Sequence, residues 1–300
     1  MSTSNILSQL GSPGVSTGFK NRLINGNGII YQRASAAALS TTASYVSCDR
    51  WFALQETTAA STFGISSTGL GVGFAQQMAL NRNNGATSTG RISAGQIIES
   101  NNLLDLQGKT ITFSFTARAG STFSAASSSI QVQIYSGTTA DQGLASLQSG
   151  SWTGLTAIVD TTQVITTTNT TYSFSAAVPS GCKELAVFIR FTPTGTAGAD
   201  DTLYFTNSQF ESGTTATNFD FRSYGTELAL CQRYYQTGIL KTAASYQAVN
   251  YVQPMRATPS IVQGNPSFGG ASFGTQEYIG STYMSYTGSP QFIYSLSAEL

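Results

Sequence analysis

The chain has 300 residues, of which 9% are charged and 11% aromatic; 14 basic side chains balance 14 acidic ones, and histidine is absent. Soluble domains usually carry ~25% charged residues, and no basic stripe occurs here, so the sequence argues against binding nucleic acid or an anionic membrane. The lack of histidine removes Ser-His-Asp and Cys-His catalysis and every histidine-ligated metal.

Residues 1–22 are polar and carry Gly11, Pro13, Gly14 and Gly18. They read as an extended arm that docks to another protein and orders on contact, or as a disordered leader. The first ten lack a charged stretch followed by an apolar run, so no signal peptide is expected. Nor does any apolar stretch reach the ~18 residues that would suggest a membrane span.

Residues 23–222 read as strands. In Thr110–Thr116, Ser129–Tyr135, Glu184–Phe191 and Thr202–Phe205, apolar residues fall on every second position, the pattern of a strand with one face on a core. Phe113, Phe115, Val187 and Ile189 are therefore expected to share that core. Further strands are expected at 28–33, 45–55, 62–66, 75–81, 91–99 and 171–178. About ten short strands imply a two-sheet sandwich. Ser-, Thr- and Gly-rich loops at 119–129, 137–154 and 192–201 are tips where specificity can reside.

Residues 223–238 hold one short helix, expected to start near Thr226 and reach Tyr235. Glu227 and Arg233 suit its dipole, and Gly238 is a stop signal. Residues 239–300 return to strand pattern, at 245–252, 260–263, 277–286 and 291–296. The expected fold class is thus all-β: a jelly-roll β-sandwich followed by a short helix and a small C-terminal β domain.

Four segments carry a family resemblance. They are Leu23–Arg33 with Asp49-Arg50-Trp51; Gln96–Glu99 with Asn102–Thr110; Gln209–Thr217 leading to Glu227–Tyr235; and Pro254–Pro259 with Ser297–Leu300. In this order they resemble phage tail-fibre and related virion proteins. The resemblance implies a virion structural role, often trimeric, with a fold akin to carbohydrate-binding modules. A function follows as an expectation: a virion surface protein on tail or capsid, assembled in the host cytoplasm, binding host receptor or glycan through the jelly-roll loops. The alternative is a capsid decoration, head fibre or tail adaptor without a ligand.

Candidate residues follow from position. Trp152 sits in a Gly- and Ser-rich loop and has three readings: ligand contact, subunit contact or loop anchor. Tyr31 and Tyr204 are further rings that could stack on a sugar. Trp51, inside an apolar run, belongs to a core. Asp49, Asp201 and Glu211 lie near expected sheet ends and are the candidates for a structural Ca²⁺; no other cofactor is expected. Asp200-Asp201 reads as a strand start, not an acid pair, and no enzymatic activity is expected. Cys48, Cys182 and Cys231 are widely spaced and read as buried thiols. Residues 239–300 carry nine aromatic rings, among them Tyr246, Tyr251, Phe268, Phe273, Tyr278 and Tyr294. So heavy an apolar load on a short segment implies burial between subunits, and the resemblance makes the assembly a homotrimer.

Overall fold

The computed structural model of the chain describes residues 19–58, 60–71, 73, 75–240, 246–263, 272–273, 281–285 and 292–300. Two antiparallel sheets form the sandwich. One has the order β1 (Ala36–Ala38), β3 (Ser61–Ser66), β4 (Gln77–Arg82), β11 (Asp201–Ser212), β6 (Thr110–Ala119), β9 (Thr170–Ala177). The other has the order β2 (Phe52–Gln55), β5 (Ile92–Ile98), β10 (Glu184–Phe191), β7 (Ser129–Gly137), β8 (Thr156–Val164). Most successive strands cross from one sheet to the other, which is the connectivity of a jelly roll.

Phe113 and Phe115 of β6 and Val187 and Ile189 of β10 meet in one core, as the alternation predicts. Trp51 is also buried there, edge-on to Phe205 at 5.5 Å. Exposure itself does not alternate on the central strands. All eight residues of β10 are buried, and Thr112, Ser114, Thr116 and Arg118 on the second face of β6 are buried too. On β6 that face is closed by polar pairs to β9: Thr112 with Ser175 at 2.8 Å and Thr116 with Thr171 at 2.9 Å.

Several expected elements differ. Residues 28–33 form no strand, because Asn25 and Gly28 take positive φ (57° and 71°) and turn the chain. The expected strand over 45–55 shrinks to β2, since Arg50 also takes a positive φ of 69°. Edge strand β8 and a five-residue helix, α1 (Leu144–Gln148), lie where the sequence shows too little apolar periodicity to announce them.

The longer helix, α2 (Tyr224–Gln232), begins two residues before Thr226. The Ser223 side chain caps it by accepting from the Thr226 amide at 3.4 Å. It ends before Tyr235, which opens β12 (Tyr235–Leu240). Gly238 is therefore no helix stop. It lies inside β12 where a Cβ would come within 2.3 Å of the Tyr294 hydroxyl, so a side chain there would have to displace that ring. β12 pairs with β17 (Phe292–Ser297), which pairs with β14 (Ser260–Gln263). A second small sheet has the order β13 (Tyr246–Asn250), β16 (Ser281–Ser285), β15 (Ser272–Phe273). Tyr251, Met255, Tyr294, Leu296 and Ala298 pack together. Phe268, Tyr278 and Tyr286 lie outside the described residues.

Residues 1–18 of the expected arm also lie outside them. Its last residues belong to the sandwich: Asn21 is buried and donates to the Ser208 carbonyl at 3.0 Å, and the Arg22 amide donates to Phe210 at 2.8 Å.

Arg82 and Asp201 face each other across the β4–β11 pair at 3.3 Å, both fully buried. Asp201 also accepts from the amide and hydroxyl of Ser124 at 2.8 and 2.7 Å. Removing one member of such a pair leaves a charge buried and unpaired. Asp201→Ala is expected to lower unfolding stability by about 3–5 kcal/mol, as measured by urea denaturation.

Candidate functional site

The five-stranded sheet presents its second face away from the core. Antiparallel register sets side chains there in rows. Leu54, Ser93, Arg190 and Gln131 form one row; Phe52, Gly95, Phe188 and Gln133 form the next. On β5 this face carries only Ser93 and Gly95 between the larger side chains of β2 and β10, which leaves a trough. Gly95 is required: a Cβ there would meet the Phe52 ring and the Val187 carbonyl, both at 2.5 Å.

The loop between β7 and β8 covers one end of the trough. Its helix α1 sets Leu144 and Leu147 against Phe52, Ile97, Ala186 and Phe188. The aromatic rings pack edge to face, Phe52 on Phe188 at 5.1 Å and Tyr135 on Phe188 at 5.8 Å. What stays open is a cleft of about 330 Å³ with Glu56, Arg91, Arg190, Gln148, Tyr135 and Phe188 among its lining residues. Arg91 pairs with Glu56 at 2.6 Å and donates to Gln131 at 3.1 Å. Behind it, Asp160 accepts from Gln131 at 2.6 Å and from Gln133 at 2.7 Å. The Gln133 side-chain oxygen is buried with no donor. Burial, followed by repulsion from Arg91, pushes the Arg190 guanidinium down to about 10.

None of the three ring residues singled out from the sequence lines this cleft. Trp152 is an anchor: 3% exposed, it packs beneath α1 and its indole N–H donates to the Gly143 carbonyl at 3.1 Å. Tyr204 lies on the other sheet, its ring 3.8 Å from the Arg118 guanidinium and its hydroxyl donating to Asp200 at 2.8 Å. Tyr31 is exposed in the turn-rich segment before β1.

The three carboxylates are not brought together either. Asp49 accepts from the Gln32 amide at 3.0 Å and lies 3.6 Å from Arg33; burial nevertheless pushes its carboxyl up to about 6. Asp201 is held by Arg82. Glu211 accepts from Gln209 and from the Thr217 amide, each at 2.8 Å. Among the described residues no group of three or more Cys, Asp or Glu could hold a metal ion.

Sequence reading missed Arg190, Phe188 and Gln133. Their signal was the second face of two alternating strands: Arg190 and Phe188 interleave with Val187 and Ile189, and Gln131 and Gln133 with Val132 and Ile134.

No family model and no curated protein matches the chain. Among solved structures it is similar to the enzymatically active domain of bacteriophage CBA120 tailspike protein 4, at 11% identity and TM-score 0.39, over 64% of this chain and 21% of that one. The chain thus spans about a fifth of that structure. It is similar to a CBM4 module at 20% identity and TM-score 0.37, over 63% of this chain and 98% of that one. A third likeness is to the CBM22-1 xylan-binding domain of Paenibacillus barcinonensis Xyn10C, at 8% identity and TM-score 0.38, over 67% and 100%. At these scores the matches add no argument to the strand order above.

The strand order makes the fold a jelly roll. Within it the β7–β8 loop, pinned by Trp152, closes one end of the trough. Trp152→Ala is expected to cost about 3–5 kcal/mol and to open residues 137–155 to limited proteolysis, read by unfolding and by mass mapping of the cleavage sites.

Proposed function

We propose that this chain is a virion surface protein of the tail-fibre type that binds host-surface glycan in the cleft on its five-stranded sheet. The observation that carries the reading is the make-up of that cleft. A sugar ring presents C–H faces and a rim of hydroxyls, and a site for it needs apolar walls with a few placed hydrogen-bonding groups. Phe188 and Tyr135 supply the walls; Arg190, Gln148 and Ser93 supply the polar groups. The role is binding without cleavage. Glycosidic hydrolysis needs two carboxyl groups free to act across the bond, whereas Glu56 is held by Arg91 and Asp160 by two glutamines.

The virion setting and the homotrimer rest on the four ordered segments that resemble tail-fibre proteins, and the docking arm at 1–22 on the polar, Gly- and Pro-bearing composition of that segment. The aromatic load of residues 239–300 independently supports association.

Three measurements test this reading. On a glycan array the protein is expected to bind a restricted set of glycans, and Phe188→Ala to weaken that binding at least about 10-fold. Absence of binding across the array refutes the glycan role and favours a decoration or adaptor protein. Incubated with the bound glycan, the pure protein is expected to release no reducing sugar. Light scattering is expected to report three copies at micromolar concentration; a monomer refutes the assembly.

A further inference from the structure

Arg190 is the one arginine without an acceptor among the described residues. The others have carboxylate or backbone-carbonyl acceptors: Arg91 has Glu56, Arg82 has Asp201, Arg50 has Glu299, Arg233 has Glu99, and Arg118 donates to the Thr68 carbonyl at 2.7 Å. Arg190 is 7% exposed, its Nε is buried without an acceptor, and its guanidinium lies 4.1 Å from the Phe188 ring in the wall of the cleft.

A buried cation held only by a ring face is costly, because the ring replaces little of the lost hydration. The nearby carboxylates, Glu56 and Asp160, offset only part of that cost and accept no hydrogen bond from Arg190. Glu56 is engaged by Arg91, and Asp160 by Gln131 and Gln133. The cleft lining then carries two guanidiniums against one carboxylate, and one guanidinium has its hydrogen-bonding edge unfilled.

We infer that the cleft selects an acidic sugar, with the carboxylate of a uronate- or sialate-type residue seated on Arg190 and its ring against Phe188. This rests on the glycan-binding reading and narrows it to a substrate class. A carboxylate matches a guanidinium edge in plane, by two parallel N–H···O bonds, and brings the single negative charge that the site lacks. The lowered affinity of Arg190 for its proton has the same origin, since a guanidinium without a counter-ion is the less stable form of that group in a dry site.

The test uses the full-length protein and a panel of oligosaccharides in which each uronate- or sialate-bearing member has its carboxyl-reduced, neutral counterpart. At least one acidic member is expected to bind about 10- to 100-fold more tightly than its reduced partner. Arg190→Gln, with circular dichroism matching the parent, is expected to erase that difference. If the variant does not fold, salt dependence of the parent protein decides: raised ionic strength should weaken the acidic member and spare the neutral one. Equal binding of acidic and reduced members overturns the acid preference and leaves the glycan reading intact. An acid preference that survives Arg190→Gln overturns the assignment to Arg190. No binding by any member overturns both readings.

Discussion

Arg50 sits where three parts of the chain meet, and its side chain is 1% exposed. Its guanidinium pairs with Glu299, donates to the Ile97 carbonyl at 2.8 Å and lies 3.5 Å over the Tyr234 ring. The backbone there is left-handed, which costs a residue with a side chain about 1–2 kcal/mol. That turn aims Arg50 inward while Trp51, the next residue, enters the core. An unpaired guanidinium at this depth is destabilising by several kcal/mol, so β5, the end of α2 and the tail after β17 are all constrained to supply its partners.

Around this contact the segment before β1 is tied down. Asn25 donates to the Ile30 and Asp49 carbonyls at 2.7 and 3.0 Å, accepts from the Trp51 indole at 3.0 Å, and gives its own amide to Glu227. Glu299 takes a second arginine, Arg33, at 3.1 Å, and Arg33 stacks on Tyr235 at 3.5 Å. The tail held this way reaches the cleft. Leu300 packs with Phe52, Leu144, Trp152 and Phe188, and its carbonyl accepts from Tyr45 at 3.3 Å. The roof over the trough therefore stands partly on the same contact that joins the sheets to the C-terminal strands.

The strands legible in the sequence are those whose apolar face meets the common core, such as β6, β7, β10 and β11. Their other face was not legible, because a polar residue reads alike whether it meets solvent, a partner strand or a covering loop. Thr112 and Thr116 meet a neighbouring strand; Phe188 and Arg190 meet α1 and the cleft. Trp152 misled for a related reason: its Gly- and Ser-rich surroundings read as an exposed tip, while Leu144 and Leu147 draw the loop down onto the sheet. The four segments that carry the family resemblance supply contacts between distant parts of the chain. Gln96 exchanges hydrogen bonds with the Ile24 backbone at 2.8 Å, Glu99 pairs with Arg233 at 2.8 Å, and Arg256 donates to Ala298 at 3.0 Å. They build the junction described above, and junction residues answer to many partners at once.

The junction also sets an order of events during synthesis. Glu299 follows Arg50 by 249 positions, and Glu227 follows Asn25 by 202. Contacts closed over such sequence distances form late and slowly. While the ribosome is still translating the residues after β17, Arg50 has no carboxylate and the apolar surface beneath α1 lacks Leu300. A nascent chain in that state exposes unpaired strand edges, the condition in which copies pair wrongly. Closing the ion pair thus ties the burial of Arg50 to the arrival of a residue 249 positions downstream.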